Sequence, residues 1–224
     1  MKNSEIQILS TKKLTELQRN LLKLPLVLIE EDFVNIEFIP IDKEDFKCCP
    51  ATVIFTSQNA VKSLLRNFER SELCFEKIYC VGKKTSFFLE KNGFVVNHFE
   101  HYSKALAGFI LSQKDLKEVT FFCGNSRLDE LPNTLNDHHI KVNEVVVYKT
   151  VLNQIEITNP VDGILFFSPS GVQSYLMAKN SVKPKAFCIG TTTALLAANY
   201  FSEIVVVDNP TIEDVIHKVN QYYV

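Results

Sequence analysis

The sequence is short of glycine, has no tryptophan and carries almost no excess of either charge. Its 7 glycines among 224 residues form neither a G-x-G-x-x-G turn after a strand nor a Walker loop, which argues against a nucleotide cofactor. The formal net charge of −2 provides no electrostatic reason to expect a nucleic-acid partner. No apolar run approaches the roughly 20 residues of a membrane helix, so we expect no membrane contact. What remains is an ordinary globular protein, and 46% hydrophobic residues allow an ample core.

Six cysteines could suggest three disulfides, but their positions favour free thiols. Cys80, Cys123 and Cys188 lie within or at the ends of predicted buried strands, where cysteine acts as a small hydrophobe. The adjacent cysteines at 48–49 have no second pair that would complete a zinc site. The N-terminus leads directly into a strand, without the apolar core of a signal peptide. We therefore predict a cytoplasmic protein in a reducing compartment.

A strand, a turn rich in hydroxyl groups and an amphipathic helix occur twice, at 53–65 and 164–176. In both copies a serine follows the strand, and Ser57 and Ser168 are suited to cap the helices. Pro169 fits the first helical position, where a missing N–H has no cost. The N-terminus of such a helix can bind an anionic ligand. Capping alone would also explain either serine.

A second pair of segments follows each copy, at 77–85 and 185–193. Both segments are short strands that end in Cys-(Val/Ile)-Gly, and a threonine follows three residues after the glycine. Gly82 and Thr85 form the first pair, and Gly190 and Thr193 form the second. Two motifs that recur in the same order predict a duplicated α/β unit.

Six motifs in this order resemble those of the uroporphyrinogen-III synthase family. They stand at 55–61, 81–85, 124–131, 147–150, 166–172 and 189–193, so the resemblance runs over about residues 5 to 215. The chain departs from the family pattern at Phe167, where threonine is usual, at Thr191, where proline is usual, and at Lys12, where arginine often follows the first strand. The resemblance implies a cofactor-free cyclising lyase of tetrapyrrole biosynthesis that acts on hydroxymethylbilane, a linear tetrapyrrole with many carboxylates.

The pattern of short apolar strands and amphipathic helices predicts an α/β fold of two flavodoxin-like lobes, each a parallel sheet flanked by helices, joined by a two-segment connector. Residues 1–34 and 160–224 are predicted to form lobe 1, with lobe 2 inserted at 42–149 and connectors at 35–41 and 150–159. Strands are predicted at 6–9, 26–29, 53–56, 77–81, 94–97, 119–123, 142–148, 164–167, 186–189 and 204–207. In the middle lobe, helices are predicted at about 58–69, 84–92, 103–112 and 127–137. A further helix should place Leu14, Leu17 and Leu21 on one face.

Ligands of open parallel sheets bind beyond the carboxyl ends of the strands, where the polar turns of both lobes fall. If the lobes face each other, these turns line one cleft that offers amides and hydroxyls to carboxylates. The predicted substrate-binding residues are Thr11, Thr56, Ser57, Asn59, Gly82, Thr85, Asn125, Arg127, Ser168, Ser170, Gly171, Gly190, Thr192 and Thr193. A cation at the start of a helix opposes the helix dipole, so Arg127 is placed either for a substrate carboxylate or for a pair with Asp129 or Glu130.

Tyr148 ends a predicted strand beside the second connector. A phenol keeps its proton at neutral pH, and the resemblance implies that this tyrosine assists the departure of the substrate's hydroxyl group. A tyrosine that only hydrogen-bonds backbone is the alternative. His98 and His101 have a spacing that could bind a metal, but such pairs in an exposed loop are far more often surface residues, and we expect no metal.

Two functions from different classes remain open. The first is uroporphyrinogen-III synthase, which we expect to act as a monomer without cofactor. The second is a non-catalytic cytosolic binding protein with two lobes for a small anionic ligand. The isomer formed from hydroxymethylbilane distinguishes them.

Overall fold

Short runs of β-branched, aromatic and other apolar residues form the strands, and the amphipathic segments between them form the helices. The computed structural model describes residues 5–23, 25–42, 50–113 and 115–224. The strands are β1 (Ile6–Ser10), β2 (Leu26–Glu30), β3 (Val34–Phe38), β4 (Thr52–Phe55), β5 (Lys77–Val81), β6 (His98–Glu100), β7 (Glu118–Gly124), β8 (Lys141–Leu152), β9 (Gly163–Phe166), β10 (Lys185–Cys188) and β11 (Ile204–Val206). The helices are α1 (Glu16–Arg19), α2 (Gln58–Asn67), α3 (Lys83–Lys91), α4 (Ser103–Leu111), α5 (Glu130–Asp137), α6 (Pro169–Met177), α7 (Thr191–Ala197) and α8 (Ile212–Tyr223), with a short 3₁₀ helix at Arg70–Glu72.

The chain divides into two units, and unit 1 comprises Met1–Asn35 and Val151–Val224. Its sheet has the order β11-β10-β9-β1-β2, and all four strand pairs are parallel. Numbered along the chain, this is the 2-1-3-4-5 order of flavodoxin-like folds. Side chains alternate across the sheet, so Leu9 and Phe166 pack against α6 and α7, while Ile8 and Leu165 pack against α8. Both faces are covered, as expected for a parallel sheet.

Unit 2 comprises Ile36–Thr150 and contains a sheet with the order β3-β8-β7-β4-β5-β6. The pairs from β8 to β6 are parallel. Phe55 and Phe122, whose ring centroids are 5.4 Å apart, pack towards α2 and α3, and Ile54 and Phe121 pack towards α4 and α5. The predicted α/β fold with two parallel sheets flanked by helices is confirmed.

The strand predicted at 94–97 was wrong, because β6 begins only at His98. Phe94 packs into the core of unit 2. Asn97 then bonds to β5 through both its backbone and its side chain: its N–H donates to Ile78 O (2.9 Å), and its Oδ1 accepts from Ile78 N (2.8 Å). The side chain replaces one bond of the ladder, so regular pairing starts one residue later.

Two helices are shorter than predicted. Helix α5 begins at Glu130 and not at 127, since Pro132 then falls in the first turn, where its missing N–H has no cost. Helix α1 begins only at Glu16, because Thr15 and Gln18 form a capping box that starts it there, and it spans four residues. The expected apolar face is therefore absent: Leu14 is buried ahead of the helix, whereas Leu17 is 81% exposed.

The segments predicted as connectors contain strand residues. The first connector, predicted at 35–41, contains most of β3, whose residues alternate between partly buried and exposed. β8 was expected to end at 148 but continues to Leu152, so Tyr148 lies inside a strand and not at its end. The sheet of unit 2 consequently has six strands, one more than the five expected.

The cysteines at 80, 123 and 188 are buried and free, as predicted. Burial raises the pKa of the Cys80 and Cys123 thiols to about 11 and that of Cys188 to about 12. The pair at 48–49 lies outside the described residues. Within the part of the chain that the structure describes, no helix combines the length and apolarity needed to cross a membrane.

Candidate functional site

The strand order of each sheet reverses at one point, and ligands of such sheets bind beyond the carboxyl ends of the strands at that point. In unit 1 the reversal lies between β1 and β9. In unit 2 it lies between β4 and β7. The turns that leave these four strands, together with the first turns of the helices that follow, hold nine of the fifteen predicted site residues: Thr11, Thr56, Ser57, Asn59, Asn125, Arg127, Ser168, Ser170 and Gly171.

In unit 1, Thr11, Ser168 and Gly171 come together. The Thr11 hydroxyl donates to Leu165 O (2.7 Å) and joins the ends of β1 and β9. A Cβ atom at Gly171 would lie 3.4 Å from Thr11 Oγ1 and 3.6 Å from Ser168 Oγ, which are ordinary contact distances, so Gly171 lies directly beside both hydroxyls. Ser170 is half-buried beside them. The Thr11 proton is already donated within the protein, so this hydroxyl can offer a ligand only its oxygen.

The predicted caps are confirmed in both units. Ser57 Oγ accepts from Asn59 N (3.1 Å) at the start of α2, and Ser168 Oγ accepts from Gly171 N (3.1 Å) at the start of α6. Pro169 occupies the first turn of α6. Because each serine oxygen accepts the backbone bond, its own O–H stays able to donate to a carboxylate. Capping and ligand binding are therefore compatible at these two positions, with Thr56 half-buried next to Ser57.

A second turn of unit 2 lies beside the first. Gly82 has φ of 87°, in the region that favours glycine, and its carbonyl accepts from Thr85 N (3.0 Å). Thr85 is buried. Gln58 Nε2, in the first turn of α2, donates to Lys84 O (3.0 Å) in the first turn of α3, so the two helix N-termini are tied together.

The corresponding turn of unit 1 differs in its surroundings. Gly190 is extended and does not require glycine, Thr192 is exposed and Thr193 is buried. These residues line a cavity that also contains Asp208. A carboxylate in the wall disfavours an anion there, so this turn is less suited to a substrate carboxylate than its counterpart at Gly82.

Arg127 lies in the turn after β7 and not at the start of a helix. Its Nε bonds to Glu144, and its Nη1 bonds to Asp129 (2.5 Å). The hydrogen bond that Arg127 donates to the Glu144 carboxylate is the main cause that raises the pKa of Arg127. A guanidinium held by two carboxylates supports the ion-pair alternative more than a role in binding substrate. The predicted pairing with Asp129 is observed, and the second partner is Glu144 and not Glu130.

Tyr148 and Asn125 meet between β7 and β8. Asn125 N donates to Tyr148 O (3.2 Å), and Asn125 Oδ1 accepts from Thr150 N (2.8 Å). The Tyr148 ring packs against the core that contains Phe55 and Val147. Among the described residues, the Tyr148 hydroxyl has no hydrogen-bond partner within the protein. The alternative of a tyrosine that bonds backbone through its hydroxyl is therefore not what the structure shows, and the phenol is free to donate to a ligand.

Two serines that sequence analysis did not assign to the site bind the backbone next to it through their hydroxyl groups. Ser63 Oγ in α2 donates to Val147 O (2.5 Å), and Ser174 Oγ in α6 donates to Asn153 O (2.6 Å). The signal was present, because Ser63 and Ser174 occupy equivalent positions in the two repeats. Sequence analysis also passed over Lys83, an exposed cation in the first turn of α3, where it opposes the dipole.

His98, one of the two histidines considered as metal ligands, makes contacts with two other side chains of unit 2. Its Nε2 lies 2.9 Å from Glu100 Oε1, and its ring stacks on Phe109 with centroids 3.5 Å apart. Across the described residues, no group of three or more histidine, cysteine, aspartate or glutamate side chains is placed to hold a metal ion.

Comparison with known proteins gives a consistent result. The family model described as "Uroporphyrinogen-III synthase HemD" matches residues 11–217. The uroporphyrinogen-III synthase of Saccharomyces cerevisiae is 34% identical over 115 residues, which is 44% of this chain and 42% of the yeast protein. The matched part of the chain thus spans less than half the length of that relative.

Solved structures are similar over nearly the whole chain. The crystal structure of uroporphyrinogen-III synthetase from Helicobacter pylori has a TM-score of 0.68 at 18% identity and covers 97% of this chain and 99% of its own. A mutant uroporphyrinogen III synthase from Thermus thermophilus has a TM-score of 0.70 at 14% identity and covers 96% of this chain and 98% of its own. At these identities the likeness concerns the fold.

Proposed function

Because the chain belongs to the uroporphyrinogen-III synthase family, we propose that it converts hydroxymethylbilane into uroporphyrinogen III and water in tetrapyrrole (haem) biosynthesis. In this reaction the linear tetrapyrrole loses its hydroxyl group, closes through a spiro intermediate and inverts its last pyrrole, ring D. The enzyme is then a cyclising hydro-lyase, and no cofactor takes part in the proposed reaction.

The observation that carries the proposal is the Tyr148 phenol, which is half-buried and has no hydrogen-bond partner among the described residues. The departing group is hydroxide, a poor leaving group, and a proton donated by the phenol lets it leave as water. Ring D then attacks the resulting cation through its substituted α-carbon, which gives the spiro intermediate. The bond from that carbon to the adjoining methylene bridge breaks, the methylene bonds to the free α-carbon of ring D, and the proton lost from that carbon can restore the phenol. The proton balance closes without an external acid or base.

Substrate carboxylates have suitable donors in both units. Ser57 and Ser168 keep an O–H that can donate, and each begins a helix of nine or ten residues whose first amides point towards the carboxyl edge of its sheet. Such donors stay fixed during the reaction and hold the flexible chain in one conformation. Much of the rate enhancement then comes from orientation, since the ends of the substrate must meet with ring D reversed.

A non-catalytic binding protein for a small anionic ligand is the second candidate. The same amides and hydroxyls would serve it, but it would have no use for an unpartnered phenol among apolar side chains. The deciding experiment supplies freshly made hydroxymethylbilane, oxidises the products and separates the porphyrin isomers, with a blank that contains no protein. Isomer III in clear excess over the blank supports the enzyme, and the isomer ratio of the blank refutes it.

We also propose that the chain acts as a monomer in the cytoplasm. Three buried free thiols at 80, 123 and 188 suit a reducing compartment. Sedimentation equilibrium at several protein concentrations tests the monomer, because a concentration-dependent mass near twice 25.5 kDa would contradict it.

A further inference from the structure

The strands β7 and β8 change register immediately before Tyr148. Pairing runs regularly from Glu118 with Lys141 to Cys123 with Val146, and the next pair is Gly124 with Tyr148. Val147 is therefore an extra residue on β8, which makes a bulge. Side chains normally alternate across a strand, yet Val147 and Tyr148 both pack against the core cluster beneath α2 and α3. The bulge turns the Tyr148 ring to this face.

The ring then lies directly on the backbone of Gly124. A Cβ atom at this position would be 2.5 Å from Cζ of Tyr148, 2.6 Å from Cε2 and 2.8 Å from the hydroxyl oxygen. Ordinary contacts of such an atom begin near 3.4 Å. Gly124 is not among the described glycines with positive φ, which are Gly82 and Gly93. Space for the Tyr148 ring, and not backbone conformation, is what requires glycine here.

The backbone around Tyr148 cannot easily move to relieve a clash. Ser63 Oγ donates to Val147 O (2.5 Å), Asn125 N donates to Tyr148 O (3.2 Å), and Asn125 Oδ1 accepts from Thr150 N (2.8 Å). Hydrogen bonds thus hold β8 on both sides of the ring. A methyl group at Gly124 would have to displace the ring itself.

We infer that Gly124 is a positioning residue for the Tyr148 phenol. Because Gly124 has no side chain, the Tyr148 ring can lie directly on the backbone of β7, and this contact fixes the position of the phenol. The inference rests on the proposed function and extends it to a buried residue that acts through Tyr148. Gly124→Ala pushes the ring outward by about 1 Å, and a misplacement of that size can cost on the order of 10²-fold in rate. We expect kcat to fall by about 10- to 100-fold while KM changes less than about twofold, because Ser57 and Ser168, the donors proposed for the carboxylates, lie in other turns.

A double-mutant cycle with Tyr148→Ala tests the inference, since that change removes the three atoms nearest to the new methyl group. Gly124→Ala should lower kcat and the melting temperature in the wild-type chain and change neither in the Tyr148→Ala background. Gly108→Ala is the matched control: Gly108 lies in α4 with nothing within 4 Å of its Cβ position, so its kcat should equal that of the wild type.

Three results would overturn the inference. Gly124→Ala could leave kcat unchanged, or it could lower kcat by the same factor with and without Tyr148. If Gly124→Ala does not fold, the double variant should fold, and its failure to do so would also contradict the steric coupling. Isomer III formed at the same rate by the wild type and by Gly124→Ala removes this inference alone, whereas no isomer III from the wild type removes the proposed function with it.

Discussion

Replacement of Tyr148 by phenylalanine separates proton transfer from positioning. The change removes one hydroxyl and keeps the ring, which packs on Gly124 and the core of unit 2. Since that hydroxyl has no partner among the described residues, no internal hydrogen bond is lost, and we expect the free energy of unfolding to change by less than about 0.5 kcal/mol.

The effect on turnover should be larger than the effect on stability. A general acid typically contributes about 10²- to 10⁴-fold. Hydroxymethylbilane also loses water spontaneously, and a water molecule could replace the phenol, so we expect a fall near the lower limit. A 10²-fold fall corresponds to about 2.7 kcal/mol in the activation barrier. Isomer III should remain the main enzymatic product, because orientation of the chain ends does not depend on the proton.

The assay measures the initial rate of uroporphyrinogen III formation beside a thermal melt of the same preparation. Tyr223→Phe is the control, because the Tyr223 hydroxyl donates to Asp162 O (2.8 Å) just before β9, at the amino ends of the unit 1 strands, whereas the proposed binding turns of that unit lie at the carboxyl ends. It should lose about 1 kcal/mol of stability and keep its turnover. Activity of a well-folded Tyr148→Phe within about twofold of wild type would refute the general-acid role.

Three further predictions concern the caps, the buried serines and the thiols. Ser57→Ala and Ser168→Ala should each lose about 1 kcal/mol of stability and raise KM. Ser57→Gly should lose only about a few tenths of a kcal/mol and raise KM by the same factor as Ser57→Ala. An unchanged KM in all three variants would mean that the serines act only as helix caps. Ser174→Ala should cost about 1 kcal/mol in a melt, because Asn153 O loses its hydroxyl donor, and an unchanged melting temperature would contradict this. Native protein at pH 8 should carry a thiol label at exposed Cys74 and none at Cys80, Cys123 or Cys188, since burial raises the pKa of those three thiols to about 11 or 12. In urea these four cysteines should all react. Labelling of the three in the native protein would show that they are not buried.

Local patterns predicted what depends on neighbours in the chain. The apolar runs at 53–56 and 164–167 are strands within one residue, and both serine caps and the first-turn proline are where the sequence places them. The errors lie where a distant group intervenes. The Asn97 side chain takes the place of one backbone hydrogen bond between β5 and β6. Leu14 lies outside α1, because its N–H donates to Glu30 Oε1 (2.6 Å). Glu30 is sixteen residues away, beyond the reach of a helical pattern.

The sequence by itself determined the α/β class, the duplicated strand–serine–helix motif and the family, because periodicity, capping and ordered motifs are properties of short segments. Only the tertiary structure decided which hydroxyls are free. Thr11 and Tyr148 look alike as polar residues at strand ends, yet Thr11 donates to Leu165 O, and the phenol of Tyr148 stays without an internal partner in the described chain. The bulge at Val147 turns the Tyr148 ring towards the core of unit 2, and the missing side chain of Gly124 leaves space for the ring there. Register between two strands depends on the packing of both, so it could not be read from either one alone.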